Sequence, residues 1–267
     1  MHSLTQTLRE RFSPEGSMLR RQQLRMLEIL LEIDRICKKH GIAYWLDSGT
    51  LIGAIRHEGF IPWDDDLDIG LMRKDYDRLM KVLPDELPPH LALQSQDTDR
   101  NYFFFYAKIR DRRSSIKENN DYDKHLQEKG IFIDVFPFER QPRWIHILSE
   151  KLQGHVYKII RTGRGSDESK MRRVRLITRI NARFTFPILK FVGKLFGGEI
   201  TDSLGIPYHN PRPEKMLFPL KEAKFEGHSL PVPNDSDSLL RLIYGDYMTL
   251  PDIEKVNTHT AKITIED

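Results

Sequence analysis

Between residues 24 and 40 the chain sets Met26, Ile29, Leu30, Ile33 and Cys37 three or four positions apart, with Arg25, Glu28, Glu32, Arg35 and Lys39 mostly between them. That is the spacing of an amphipathic helix, and Gly41 stands where such a helix ends in left-handed backbone. The AYWL run at 43–46 is short, apolar and followed by Asp47-Ser48-Gly49, which predicts a buried strand ending in a turn. Residues 50–57 then read as a helix closed by Gly59. From Asp66 to Leu71 polar and apolar positions alternate, so an extended strand puts Asp66 and Asp68 on one face and Leu67, Ile69 and Leu71 on the other.

Farther along, 75–83 is an amphipathic helix stopped by Pro84, with a loop over 84–90. Residues 102–110 (YFFFYAKIR) and 131–136 (IFIDVF) are the next strands. Two helices follow, over about 143–161 and 170–196, joined by the Gly/Ser-containing link 162–169 and ended by Gly197-Gly198. A proline-punctuated stretch leads to a short helix at 238–247 and a polar tail over 252–267.

Composition narrows the class. With 39% hydrophobic and 30% charged residues over 267 positions, the chain folds around a core of its own. A lone cysteine, Cys37, excludes an internal disulfide and a cysteine-rich metal cage, and points to a reducing compartment. The opening MHSLTQTLRERFSPEGS lacks the apolar stretch of a secretory signal, and no run reaches the roughly 18 apolar residues that span a bilayer. A cytoplasmic protein is expected, at most lying against the inner face of the membrane.

Charge is divided unevenly. The net charge is +3, but residues 140–194 hold 14 Lys+Arg against 3 Asp+Glu, leaving the rest of the chain at −8. An acidic body carries a basic insert.

Chemistry concentrates in the acids. Asp64, Asp65, Asp66 and Asp68 fall within five positions, costly to place together without a neutralising cation. Two carboxylates one pleat apart suit a hard ion, whose other positions are filled by phosphate oxygens and water. An acidic run is more often a solvated turn, yet the apolar alternation holds Asp66 and Asp68 in a fixed pair. Asp65 faces the other way, and Asp64 joins the pair only if the strand extends that far. Asp134, between Ile133 and Val135, needs a partner wherever it is buried, either an arginine or the same metal centre. Ser48-Gly49-Thr50 between a strand and a helix is a place for a phosphate, or simply a helix cap.

Strand, SGT turn, helix, D-x-D strand and a later acidic strand together resemble the nucleotidyltransferase (DNA polymerase β-like) superfamily. The wording YWLDSGTLIGAIRHEGFIPWDDDLDIGLMRKDY is similar to the LicD family of phosphotransferases, which includes fukutin and fukutin-related protein. KIRD at 108–111, GIFIDVFPFE at 130–139 and YGDYMTLP at 244–251 fall in the same order. The resemblance implies an α/β (α+β) fold: a nucleotidyltransferase core with a mixed sheet over 18–139, a basic helical insert over 140–198, and a C-terminal part, 199–267, packing on the core.

It also implies an activity: a metal-dependent phosphotransferase that moves a phospho-alcohol, phosphocholine from CDP-choline first, onto a hydroxyl of a cell-surface glycan or its lipid-linked precursor. Mg²⁺ or Mn²⁺ is the implied cofactor. Asp66, Asp68 and Asp134 are the implied catalytic residues, with Asp64, Asp66, Asp68 and Asp134 as metal ligands and Asp134 either ligand or general base. Ser48, Gly49, Thr50, Arg56, Lys108 and Arg110 are candidates for holding the donor's phosphates. For Lys108 and Arg110, salt bridges to the acidic cluster are an equal alternative, and for Arg56 and His57 a surface helix end. Trp45, Trp63, Tyr102 and Phe104 are available to face a choline ammonium, although most aromatics in such a chain are core. Lys255 and His259 lie beyond YGDYMTLP and either touch the donor or belong to a solvated tail.

Rival expectations are a true nucleotidyltransferase, which attacks an NTP and releases pyrophosphate, and an inactive binder of membranes or glycan-assembly enzymes. The basic insert, 140–196, alternates arginines with apolar residues before FPILKFVGKLF, which suits a helix on an anionic membrane or a helical pair packed on the acidic body. No motif supports a nucleic-acid partner.

Overall fold

The computed structural model describes residues 2–118, 120, 122–255 and 260–265. The chain opens with α1 (His2–Phe12) and α2 (Met18–His40). Ser17 Oγ caps α2 by accepting from Arg20 N, and Gly41 ends it at φ 57°. There follow β1 (Trp45–Leu46), α3 (Ser48–His57), β2 (Asp68–Met72), α4 (Arg73–Glu86), β3 (Leu91–Gln94), β4 (Ala107–Asp111) and β5 (Ser114–Glu118). Next come β6 (Phe132–Gln141), α5 (Arg143–Thr162), α6 (Asp167–Ile180), a π turn (Asn181–Thr185) and α7 (Phe186–Phe196). The chain continues through β7 (Glu199–Asp202), α8 (Glu214–Leu217), β8 (Lys221–Phe225), β9 (His228–Val232), α9 (Ser236–Tyr244) and β10 (Thr260–Ile265).

The fold is mixed α and β around a mixed sheet in the order β1-β2-β6-β4-β3, with β7 also paired to β6. Among the described residues of this sheet β2 and β6 run parallel and the other pairs antiparallel. Ile69, Leu71, Ile109, Ile133 and Val135 supply the sheet's buried apolar positions, and α2 closes the core with Met26, Ile29, Leu30 and Ile33. The β8–β9 hairpin and α9 add Phe225, Leu230, Val232 and Leu239 to the same core. The basic helices α5 and α6 pack through a second cluster, Val156, Ile159, Ile160, Met171 and Val174 against Tyr102, Phe103 and Phe104.

Several expectations are corrected. Residues 102–106 form no strand; Tyr102, Phe103 and Phe104 are buried in the second cluster, Phe103 stacking on Phe104 at 4.4 Å, Phe105 and Tyr106 are half-buried, and β4 begins only at Ala107. The helix expected at 170–196 starts at Asp167, capped by Ser166, and widens into the π turn just before Pro187. Proline lacks an N–H and crowds the carbonyl four residues back, which the wider turn relieves. The helix expected at 50–57 starts at Ser48 and is closed by Glu58 at φ 52°, one residue before Gly59. Pro84 is accommodated inside α4. The polar tail carries β10, which pairs with β5.

Candidate active site

The register of three strands builds the centre. Asp68 on β2 lies opposite Asp134 on β6, and Asp134 lies opposite Lys108 on β4. Residues directly opposite each other share a face, so one row across the sheet reads carboxylate, carboxylate, ammonium. Lys108 Nζ is 2.8 Å from Asp134 Oδ1 and 3.4 Å from the centroid of the Phe132 ring, both side chains largely buried. Apolar residues flank Asp68 and Asp134 along their strands, which holds this register in place.

Asp66 does not lie on a strand, because β2 begins only at Asp68. The 64–66 loop is held from behind by α2: Gln23 Nε2 donates to Asp64 O at 2.9 Å and Gln22 Nε2 to Asp65 O at 2.8 Å. Thr50 Oγ1 accepts from Asp68 N at 2.8 Å, tying the start of β2 to α3. Thr50 is therefore a buried positioning residue and does not line the cleft. Asp64, Asp66, Asp68 and Asp134 line one cleft of about 300 Å³ together with Ser48 and Gly49.

The first turn of α3 forms another wall. Ser48 sits at φ 50°, and Asp47, at the N-cap, makes no capping hydrogen bond. Its carboxylate is engaged elsewhere, accepting from Trp45 Nε1 at 3.2 Å and pairing with Arg212 Nη2 at 2.8 Å. Uncapped helix N–H groups favour an anion. A Cβ on Gly49 would stand 3.0 Å from Asp64 Oδ2, so a larger residue there would press on that carboxylate.

Arg212 is buried between Asp47 and, at 3.5 Å, Asp202, with its guanidinium 4.2 Å from the Phe138 ring centroid. It lines the cleft with Asp202, Asn210 and the aromatic residues Tyr106, Phe136, Tyr208 and Tyr244. Burial pushes the Tyr244 hydroxyl up to about 12, with Asp47 adding to it, and raises Tyr106 and Tyr208 as well. These hydroxyls stay protonated and available as donors.

Burial, then repulsion from Asp66, holds both Asp64 and Asp68 well above the usual carboxylate range. Such a cluster is short of positive charge, and its donors are all oxygens, the set that suits a hard divalent cation. Among the described residues no three His, Cys, Asp or Glu side chains close around one point as a cage. The acids form an open rim, and an ion there would be completed by water and phosphate oxygens. Oxygen donors alone are the type that Mg²⁺ or Mn²⁺ takes.

Other expected site residues lie elsewhere. Arg110, fully buried, donates to Gln94 Oε1 at 2.7 Å and Gly130 O at 2.9 Å and does not reach the cleft wall. Two residues along a strand from Lys108 it keeps the same face but sits one pleat away from the acids. Arg56 donates to Tyr247 O at 2.6 Å and to His57 Nε2 at 2.8 Å, outside the cleft wall. Trp45 packs against Phe138 and Phe218, and Trp63 against Phe12 and His57. Tyr102 and Phe104 belong to the second cluster. Lys255 pairs with Asp252 on the surface, and His259 lies outside the described residues.

Sequence reading missed Arg212, Asp202, Tyr208 and Tyr106, and took Asp47 for a turn residue. Arg212 and Tyr208 stand in the proline-punctuated YHNPRP segment, which reads as loop. Tyr244 opens YGDYMTLP, a signal that was visible.

The acids of this cleft lie in a segment of known class: residues 41–158 match the LicD/FKTN/FKRP nucleotidyltransferase domain, while Asp202, Tyr208, Asn210, Arg212 and Tyr244 join the cleft from beyond it. Over 257 residues the chain is 29% identical to the lipopolysaccharide cholinephosphotransferase LicD of Haemophilus influenzae, an alignment covering 90% of this chain and 95% of that protein. It is 51% identical over 35 residues to human ribitol 5-phosphate transferase FKRP, 13% of this chain and 7% of that protein. It is 38% identical over 52 residues to mouse ribitol-5-phosphate transferase FKTN, 20% of this chain and 11% of that protein.

Proposed function

We propose that the chain is a metal-dependent phosphotransferase with a nucleotidyltransferase-like core, moving a phospho-alcohol from a CDP-linked donor onto a glycan hydroxyl, with phosphocholine from CDP-choline as the first donor to test. One observation carries this reading: Asp64, Asp66, Asp68 and Asp134 share a cleft with Arg212 and the uncapped start of α3. An acidic rim for hard cations beside fixed positive groups suits a diphosphate, and the kinship to a lipopolysaccharide cholinephosphotransferase supports the alcohol and the acceptor class. The aromatic faces of Tyr106, Phe136, Tyr208 and Tyr244 suit a quaternary ammonium.

In this reaction the P–O bond between CMP and the phospho-alcohol breaks, a P–O bond to the acceptor oxygen forms, and the hydroxyl proton passes to a base. Asp64, Asp66 and Asp68 would hold the metal, whose chemistry is to neutralise charge on the diphosphate and on the departing CMP. Arg212 and the Ser48–Gly49 backbone orient the phosphates. Asp134, steadied by Lys108 at 2.8 Å, completes the metal rim or takes the proton from the acceptor hydroxyl. The test is CMP release from CDP-choline in the presence of Mg²⁺ or Mn²⁺ and a glycan acceptor. Asp68→Asn is expected to lower the rate at least about 100-fold, the scale of losing a group used in the transition state. Full activity in that variant, or pyrophosphate from CTP instead of CMP, defeats the proposal.

A further inference from the structure

The helical run from α6 through the π turn to α7 carries two apolar faces. The inner one packs through Met171, Val174 and Phe186. The outer one consists of Leu176, Ile180, Phe184, Ile188, Phe191 and Leu195, with the last four between 61% and 72% exposed. Four-residue spacing drifts around an ideal helix of 3.6 residues per turn. The wide turn at Asn181–Thr185 takes up that drift, so Leu176 to Ile188 stay on one side. Trp144, half exposed at the start of α5, extends the stripe by an edge contact with Phe196 at 5.8 Å.

A run of large apolar side chains left in water is the mark of an interaction surface. Here its flanks decide the partner. Arg172, Arg179, Arg183 and Lys194 are exposed along the same run, within the segment that holds 14 Lys+Arg against 3 Asp+Glu. Among the described residues no helix is long and apolar enough to cross a membrane. Apolar side chains facing outward between arginines are suited to lying in the interface of an anionic bilayer, rings among the acyl chains and guanidinium groups at the phosphates. A protein partner matched to this stripe would also have to answer the exposed arginines and lysine that flank it, which a lipid surface does without specific pairing.

We infer that the outer face of α6 and α7 is a docking surface for an anionic phospholipid bilayer, and that the protein lies on it by this helix. The inference does not depend on the transfer chemistry, but it has a consequence for it. Ala182, Phe186, Pro187 and Lys190 of the same run wall a pocket of about 400 Å³ that shares Tyr106 with the acidic cleft. The docking run and the acidic cleft are thus linked through Tyr106.

The test uses the full chain with vesicles of phosphatidylcholine alone and of phosphatidylcholine mixed with phosphatidylglycerol. Flotation is expected with the anionic vesicles only, falling as salt rises. Joint Phe184→Ser and Phe191→Ser substitution should weaken it roughly tenfold or more by removing two inserting rings. These side chains are exposed, so thermal unfolding should be unchanged; the Arg172→Gln, Arg179→Gln, Arg183→Gln variant tests the charges separately and should lose flotation already at low salt. Fluorescence gives a second readout, a blue shift on binding that Trp144→Phe removes. Equal binding to both vesicles overturns the inference. So does absence of binding by a chain that self-associates through the same two phenylalanines, the outcome expected if a second copy covers the stripe.

Discussion

Replacing Arg212 by methionine keeps most of the side chain's volume over the Phe138 ring and removes the one cation that the structure sets between Asp47 and Asp202. Breaking a buried pair by deleting one partner leaves an uncompensated charge, at a cost of about 3–5 kcal/mol. The shorter contact, 2.8 Å to Asp47, makes that carboxylate the principal loser. Asp202 adds a pH dependence. Burial raises its pKa to about 6 even though Arg212 opposes the shift. A carboxyl whose folded pKa lies above its unfolded value destabilises the fold when it ionises, so stability falls as pH rises from about 4 to about 6. Without Arg212 the Asp202 pKa climbs further, and the penalty extends to higher pH. Urea unfolding of Arg212→Met should therefore show a larger loss near pH 7.5 than near pH 5, where Asp202 is protonated with or without arginine. Adding Asp47→Asn should return a large part of the stability at both pH values. A loss under about 1 kcal/mol, or one equal at the two pH values, refutes this account of the triad.

Thr50→Val preserves shape but deletes the acceptor for Asp68 N, so stability should drop by about 1–2 kcal/mol and kcat should fall with little change in KM, read from unfolding curves and steady-state rates. Lys108→Met leaves Asp134 without its ammonium; transfer activity should fall on the order of 10- to 100-fold, and activity equal to wild type would remove Lys108 from the site. His57 Nε2 accepts from Arg56, and its Nδ1 lies 3.0 Å from Thr5 Oγ1, an arrangement for a neutral ring. Burial, then Arg56, lowers its pKa to about 4. The stability it contributes is full above pH 6.5 and is lost as pH falls toward 4, on the order of 1–2 kcal/mol after screening. His57→Gln should flatten that part of the pH–stability curve.

Much of the sheet was legible because alternation is a strong signal where one face is buried. Leu67, Ile69 and Leu71 announce a strand edge carrying Asp68, and IFIDVF announces the strand carrying Asp134. The sequence could not say that these strands run side by side and in parallel, which is what makes Asp68, Asp134 and Lys108 a row. The alternation starts two residues before β2 does: backbone pairing begins at Asp68, and Asp66 reaches the cleft from a loop. The aromatic run at 102–106 reads as a strand because it is apolar, but it has no period, and Tyr102, Phe103 and Phe104 are buried in the second cluster instead. Arg212 was illegible for another reason. Its role comes from contacts with Asp47 and Asp202, one of them 165 positions away in the chain, and nothing local distinguishes it from a surface arginine in a proline-rich loop.

Calorimetric titration of the intact chain with CDP-choline, CDP-ribitol, CDP-glycerol, CTP and CMP, with and without Mg²⁺ or Mn²⁺, tests the central claim most directly. One CDP-alcohol should bind more tightly than CMP, only when the divalent ion is present, and Asp68→Asn should abolish the dependence on the ion. Metal-independent binding, a preference for CTP, or binding unchanged in Asp68→Asn would contradict it.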